Sequence, residues 1–230
     1  MEQRTFLSAG QSGLSADQVV RRLAAQGPPG RRMSPQSAQE CVAGRTLGRP
    51  RGDHDLNPDL YDPDLPLRQA AVLVPLVERT AGLSVLLTRR TDHLFVHAGQ
   101  ICFPGGGVDP GDADAAAAAL RETEEEIGLP RSHIRLIGEL DTYVTRTGFE
   151  VEPKVGLVTP PFPLAPDSFE VAEVFEVPLG FVLDPANCQR HSRLYQGKER
   201  HFYAFPYGDY FIWGATAGML VNLAEVLADP

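Results

Sequence analysis

The chain has 230 residues, 43% hydrophobic and 22% charged, enough for one full core with an appendage. A net charge of −9 without a basic stripe argues against general nucleic-acid binding. No stretch has the apolar length needed to cross a bilayer and no secretory leader pattern opens the chain, so neither secretion nor membrane insertion is expected. Cys41, Cys102 and Cys188 lack CxxC or Cys/His spacing and cannot all pair with one another, which suits free thiols in a reducing cytoplasm.

In chain order, residues 15–25 place Val19, Val20 and Leu23 at helical spacing behind Ser15 as a cap, predicting a short amphipathic helix. Residues 27–66 are rich in Gly, Pro, Arg and Asp and are expected to be irregular or a mobile linker. Arg31, Arg32, Arg45, Arg49 and Arg51 fall there and read as scattered solvated charges. The chain thus divides into an N-terminal extension, residues 1–66, and a domain, residues 67–230. Residues 70–76 and 83–88 read as strands around a turn at residues 80–82, and Pro75 suggests an edge or a strand end.

Further strands are expected over residues 134–140, 151–157 and 175–179, and a late strand over residues 200–207, where aromatic and polar side chains alternate. Met219, Leu220, Leu223 and Leu227 predict a closing amphipathic helix over residues 216–227. Interleaved strands and helices point to the α/β class, a mixed sheet between helices.

The chemistry concentrates between Gly105 and Leu129. Ala115–Ile127 is built of strong helix formers, with Asp112 and Asp114 available as N-caps and Gly128 then Pro130 as the stop. On that helix Glu122 and Glu126 project to one side at i, i+4 and Glu125 flanks them, while Leu120, Thr123 and Ile127 lie near the apolar side. Stacked like charges cost a few tenths of a kcal/mol per pair, by an order-of-magnitude estimate of about 0.2–0.5. Oxygen-only ligands suit a hard cation such as Mg²⁺, whose remaining sites are filled by water and substrate phosphates. A solvated acidic helix face is the plainer reading of the Glu run alone. Phe103-Pro104-Gly105-Gly106-Gly107 just before it allows close backbone approach to a ligand and favours the metal reading.

A glycine loop feeding a carboxylate helix resembles the Nudix hydrolases, whose box reads G-x5-E-x7-R-E-U-x-E-E-x-G-U with U a bulky aliphatic residue. Gly107, Arg121, Glu122, Glu125, Glu126, Gly128 and Leu129 are in register, while Ala113 replaces the first Glu and Thr123 the aliphatic residue. Asp112 and Asp109 lie close enough for a shifted loop to return a carboxylate. Upstream, Leu86, Leu87, Thr88, Arg90, Gly99 and residues 103–106 are similar to a signature of coenzyme A pyrophosphatases, with Thr91 and Phe95 departing from it.

The resemblance implies a Nudix α/β/α sandwich with a loop-helix-loop box and hydrolysis of the diphosphate of coenzyme A or acyl-CoA. The products would be adenosine 3',5'-bisphosphate and (acyl-)4'-phosphopantetheine. ADP-ribose or NADH-type dinucleotides, or a catalytically silent nucleotide-sensing module, are the alternatives. It implies Mg²⁺ or Mn²⁺ held by Glu122 and Glu126, with Glu125 as a further ligand or water-positioning base and Arg121 as an orienting residue. Gly105, Gly106, Gly107 and Arg90 would contact substrate. For the base, Glu139, Glu150, Glu170 and Glu173 also stand open.

Arg90 leads for the extra 3'-phosphate, ahead of Arg89 and Arg146, which read rather as surface cations. His93 and His97 read as structural. Cys102 reads as a buried small hydrophobe rather than a nucleophile. Trp213, Phe202, Tyr203, Phe205, Tyr207, Tyr210 and Phe211 are expected mostly in the core. A homodimer is allowed.

Overall fold

Two adjacent strands with in-out alternation set the layering of the molecule. Their apolar residues point to both faces, as strands covered on both sides require. The structure, a computed structural model, describes residues 13–25, 50–62, 64–93 and 98–228. Expectations for Arg31, Arg32, Arg45, Arg49, Cys41, Phe95 and His97 lie outside the described residues.

In order, the elements are α1 (Ala16–Ala25), β1 (Arg51–Gly52), β2 (Arg68–Arg79), β3 (Gly82–Arg90), β4 (Ile101–Cys102) and β5 (Gly105–Gly107). Next come α2 (Ala115–Ile127), β6 (Ile134–Glu139), β7 (Tyr143–Val144), β8 (Phe149–Val158), β9 (Val171–Pro178) and α3 (Leu179–Leu183). The chain closes with β10 (Gln189–Tyr195), β11 (Lys198–Tyr207), β12 (Tyr210–Trp213) and α4 (Ala215–Leu227).

A 9-stranded mixed sheet runs β1-β7-β8-β2-β3-β4, with β5 also on β2, β6 on β8 and β9 on β3. The long pair is parallel, β2 on β8 from Arg68↔Phe149 to Val77↔Val158, whereas β3, β5, β6 and β9 join antiparallel. Ala71 and Leu73 face Ala118 and Ala119 of α2, while Val74, Leu76, Val85 and Leu87 face a larger core with α1, α3 and α4. This is an α/β/α sandwich, and each fully buried aliphatic side chain in it contributes about 1.5–3 kcal/mol. Among the described residues no helix is long and apolar enough to cross a membrane.

Pro75 corrects the expectation of an edge, because it sits inside β2, opposite Gly156 of β8. On the other side of β2, β5 pairs through Val72 and β3 begins at Leu76, so Pro75 falls where no ladder donor is required.

Of the expected linker over residues 27–66, the described part is anchored, with Arg51, His54 and Asn57 buried, and α1 lies ahead of it. Ser15 and Gln18 cap α1 reciprocally, at 2.8 and 3.3 Å, and Val19 and Leu23 are buried. Arg51, read as a solvated charge, is buried between Asp141, 3.0 Å from its Nε, and Glu225 of α4. Burial opposes its charge, yet Glu225 and Asp141 hold the guanidinium above its usual pKa. The charge is retained because the fold supplies two carboxylates that a local sequence window does not reveal.

A separate 3-stranded antiparallel sheet, β10-β11-β12, stands beside the larger one. Its alternation turns Tyr203, Phe205 and Ile212 into the core. Asn57 ties the early segment to it, donating to the His201 carbonyl at 2.9 Å and accepting from the His201 amide at 2.9 Å.

Candidate active site

Sequence positions α2 at both of its ends. Asp114 accepts the Ala117 amide at 2.8 Å, and Gly128, at φ 66, donates to the Glu124 carbonyl at 3.0 Å. Thr123, at an aliphatic position of the box, is buried and donates to the Ala119 carbonyl at 2.6 Å, so its hydroxyl costs little there. Ile127 is fully buried as expected, whereas Leu120 is half-buried.

The opposite side of α2 meets the glycine loop. A Cβ on Gly106 would stand 2.5 Å from the Glu122 carboxyl carbon, so the loop approaches this closely only as glycine. The Gly105 amide donates to Glu126 Oε2 at 3.1 Å, and the Gly107 carbonyl accepts from Arg121 Nη2 at 3.1 Å. Each glycine of the run therefore meets α2.

Arg121 is the clamp of this arrangement. Its Nε and Nη2 grip Asp112 at 3.0 and 2.9 Å, while Nη1 donates to Glu122 at 3.0 Å and Glu125 at 2.9 Å. Asp112 thereby brings to Arg121 the carboxylate that Ala113 lacks. Hydrogen bonding to Arg121 holds the Asp112 carboxyl below its usual pKa, and Asp112 is the largest cause of the rise at Arg121.

Glu126 is in a different state. Its side chain is 7% exposed, with Arg90 Nη1 at 3.6 Å. Burial pushes its pKa to about 7, opposed by Gly105 and Arg90 and reinforced by Glu170 and Glu122. Glu122 is raised too, by burial first, with Arg121 opposing. Glu125 is 60% exposed and engaged by Arg121.

Among the described residues no preformed group of three His, Cys, Asp or Glu side chains surrounds one point. The donor chemistry fits a divalent cation even so. Two desolvated carboxylates on one helix face repel each other, and Mg²⁺ is commonly held by one or two carboxylates with substrate phosphates and water completing its shell.

Of the other acids considered, Glu139 pairs with Lys154 at 2.6 Å, Glu150 accepts from Gln69 at 2.6 Å, and Glu173 accepts from Tyr210 at 2.7 Å. Glu170 lies 3.6 Å from Arg90 and raises Glu126, which places it at the site. Arg89 lies 3.5 Å from Glu173, and His93 makes an edge contact with Phe169. Burial pushes the Cys102 thiol up, which suits a packed side chain and not a nucleophile.

Behind the glycines opens a cavity of about 500 Å³ between the two sheets, lined by Arg90, Gly105, Gly106, Gly107, Phe202 and Trp213 among others. The core expectation holds for Tyr203 and Phe205 but is corrected for Phe202 and Trp213, whose strand parity turns them to this cavity. Arg146, Arg193, Tyr195 and Arg200 also line it. Sequence reasoning passed over Arg193 and Tyr195. Their signal is the two-residue spacing of His191, Arg193 and Tyr195, which puts aromatic and cationic groups on one face of β10.

Residues 67–195 match the NUDIX domain. NudL of Escherichia coli (strain K12), described as an uncharacterized Nudix hydrolase, is 43% identical over 169 residues, spanning 74% of this chain and 88% of that protein. NudL of Shigella boydii serotype 18 is 42% identical over 169 residues, with the same 74% and 88% spans. A solved C. elegans Ap4A hydrolase binary complex shows 23% identity and a TM-score of 0.43, spanning 48% of this chain and 80% of that one. The domain match and the NudL identity, together with the box geometry on α2, establish that this chain belongs to the Nudix hydrolase family.

Proposed function

We propose that this protein hydrolyses the diphosphate of coenzyme A or acyl-CoA, with Mg²⁺ or Mn²⁺, to adenosine 3',5'-bisphosphate and (acyl-)4'-phosphopantetheine. The observation that carries the reading is a shared wall. Gly105, Gly106, Gly107 and Arg90 line the cavity, and each also touches α2 or its carboxylates. A diphosphate laid on that wall has the carboxylate helix on one side and room for a nucleotide on the other. The upstream similarity to coenzyme A pyrophosphatases supports the choice of substrate.

Glu122 and Glu126 are the groups to hold the cation, with Glu125 a further ligand or water-positioning group. When bound, the cation would neutralise the diphosphate and activate the attacking water. Arg121 fixes Glu122 and Glu125 and the loop carbonyl, so the carboxylates are preorganised. Arg90 offers a guanidinium to the diphosphate oxygens. The water oxygen bonds to one phosphorus, the bridging P–O bond breaks, and the departing phosphate takes the bridging oxygen. Glu170, beside Arg90, is the acid best placed of the four to accept the water's proton.

Mass spectrometry of products from coenzyme A, ADP-ribose and NADH, each with Mg²⁺, Mn²⁺ or EDTA, tests the reading. It expects metal-dependent 4'-phosphopantetheine from coenzyme A at the highest efficiency. Preferred cleavage of another substrate overturns the specificity, and no turnover of any overturns the enzyme reading.

A further inference from the structure

The arginines on the cavity wall differ in electrostatic condition. Arg90 faces Glu126 and Glu170, both at 3.6 Å. Arg200 Nη1 donates to both oxygens of Asp59, at 2.8 and 3.0 Å, although its Nε is buried without a partner. Arg146 and Arg193 differ from both. Among the described residues their guanidinium groups make no hydrogen bond or ion pair, and they lie over the ring of Tyr195 at 4.5 and 5.6 Å from its centroid. Arg193 also lies 5.1 Å from the Trp213 ring.

This is an unusual place to leave cations unmatched, in a chain with 30 acidic and 21 basic residues. Register makes it more so. Arg193 of β10 stands directly opposite Arg200 of β11, and like charges directly opposite in an antiparallel pair destabilise it. Of this pair Asp59 relieves only Arg200, and it also accepts from Lys198 at 3.0 Å. An anion between the strands and Arg146 would relieve the rest.

The neighbours of this cluster are aromatic. Phe202 and Trp213 meet edge to face at 5.3 Å on the same cavity wall. Flat rings beside unpaired guanidinium groups suit a nucleobase that carries a phosphate close by. The diphosphate to be cleaved is accounted for at the glycine loop, so this second cluster serves another anionic group.

We infer that Arg146 and Arg193, around Tyr195, bind a phosphomonoester of the substrate distinct from the cleaved diphosphate, while Phe202 and Trp213 flank its nucleobase, one by its face and the other by its edge. The assignment rests on the proposed hydrolysis, which places Arg90 beside Glu126 on the cleaved diphosphate, and so moves the extra phosphate to residues on the small sheet and the β7–β8 loop. The small sheet is then the specificity element of the enzyme.

Calorimetric binding of adenosine 3',5'-bisphosphate and of AMP to the full chain in EDTA tests this without requiring turnover. Wild type should bind the bisphosphate at least about tenfold more tightly than AMP, as one charge-assisted contact provides. Arg193→Ala and Arg146→Ala should each remove about tenfold of bisphosphate affinity and leave AMP within about twofold. Arg193→Lys should recover part of the loss. Equal wild-type affinities, or equal losses on both ligands in variants with wild-type melting temperatures, would overturn the assignment.

Turnover separates the two proposals. With coenzyme A the variants should raise KM and leave kcat near wild type, with no change on 3'-dephospho-coenzyme A. If wild type cleaves neither substrate, the hydrolase reading falls, and the two affinities still decide the phosphate site.

Discussion

The carboxylate helix with its glycine loop and the aromatic-arginine cavity wall are built in opposite ways. The first is one run of chain, residues 105–129, whose capping and helical spacing bring Arg121, Glu122 and Glu126 to the loop. The second is assembled across the fold from Arg146 near the β7–β8 turn, Arg193 and Tyr195 on β10, Phe202 on β11 and Trp213 on β12. In the proposed function, the chemistry rests on a contiguous cassette, whereas substrate selection rests on residues brought together from distant elements. Gly105, Gly106 and Gly107 are the seam where the two meet.

Substitution at each region should separate chemistry from recognition. Glu126→Gln keeps the shape and a Gly105 acceptor but removes the charge, so kcat should fall about 10³-fold or more with no loss of melting temperature. A wild-type rate at saturating Mg²⁺ in both this variant and Glu122→Gln would break the assignment of the helix as the chemical half.

Outside both regions, Arg51→Ala leaves Asp141 and Glu225 buried without their cation and should cost about 3–5 kcal/mol in urea unfolding. A cost under about 1 kcal/mol would show that the early segment does not brace the fold.

Stability against pH reports on the helix again. Glu126 titrates near 7 in the folded, metal-free protein against 4.5 for an ordinary glutamate. Between those values the folded state holds a proton that the unfolded chain has lost. Stability present below pH 4.5 is therefore lost as pH rises through about 7, by about 3 kcal/mol at most. In EDTA the melting temperature should drop over that window for wild type and stay flatter for Glu126→Gln. Parallel curves would remove Glu126 as the desolvated carboxylate.

Trp213→Ala should have the smallest effect, raising KM for the nucleotide substrate about five- to tenfold at constant kcat. A fall in kcat instead would blur the division between the two halves.

The same division governs what the sequence made legible. The bounds of α2, its Asp114 cap and its Gly128 stop follow from local propensity and spacing, and so does the side on which the glutamates gather. The longer strands β2, β3, β6, β8, β9 and β11 were legible from apolar runs or alternation, whereas β1, β4, β5, β7, β10 and β12 were not. The fate of Arg51 was not, because its two carboxylates come from Asp141 and Glu225, far along the chain. Pro75 misled because its tolerance depends on a gap between β3 and β5. Asp112 was legible as a nearby carboxylate but not as the partner of Arg121, which requires the actual path of the loop. Phe202 and Trp213 turned on strand parity within a sheet whose flanking strands, β10 and β12, have no strong apolar alternation to announce them.

Under the proposed function, the wall of Gly105, Gly106 and Gly107 joins a cation-binding helix to a nucleotide cavity. A crystal structure with Mn²⁺ and adenosine 3',5'-bisphosphate, read with the anomalous signal of manganese, tests it most directly. Manganese should sit on Glu122 and Glu126, with the nucleotide in the cavity behind Gly105–Gly107 and its 5'-phosphate toward the loop. Manganese away from those carboxylates, or the nucleotide bound outside the cavity, would contradict it.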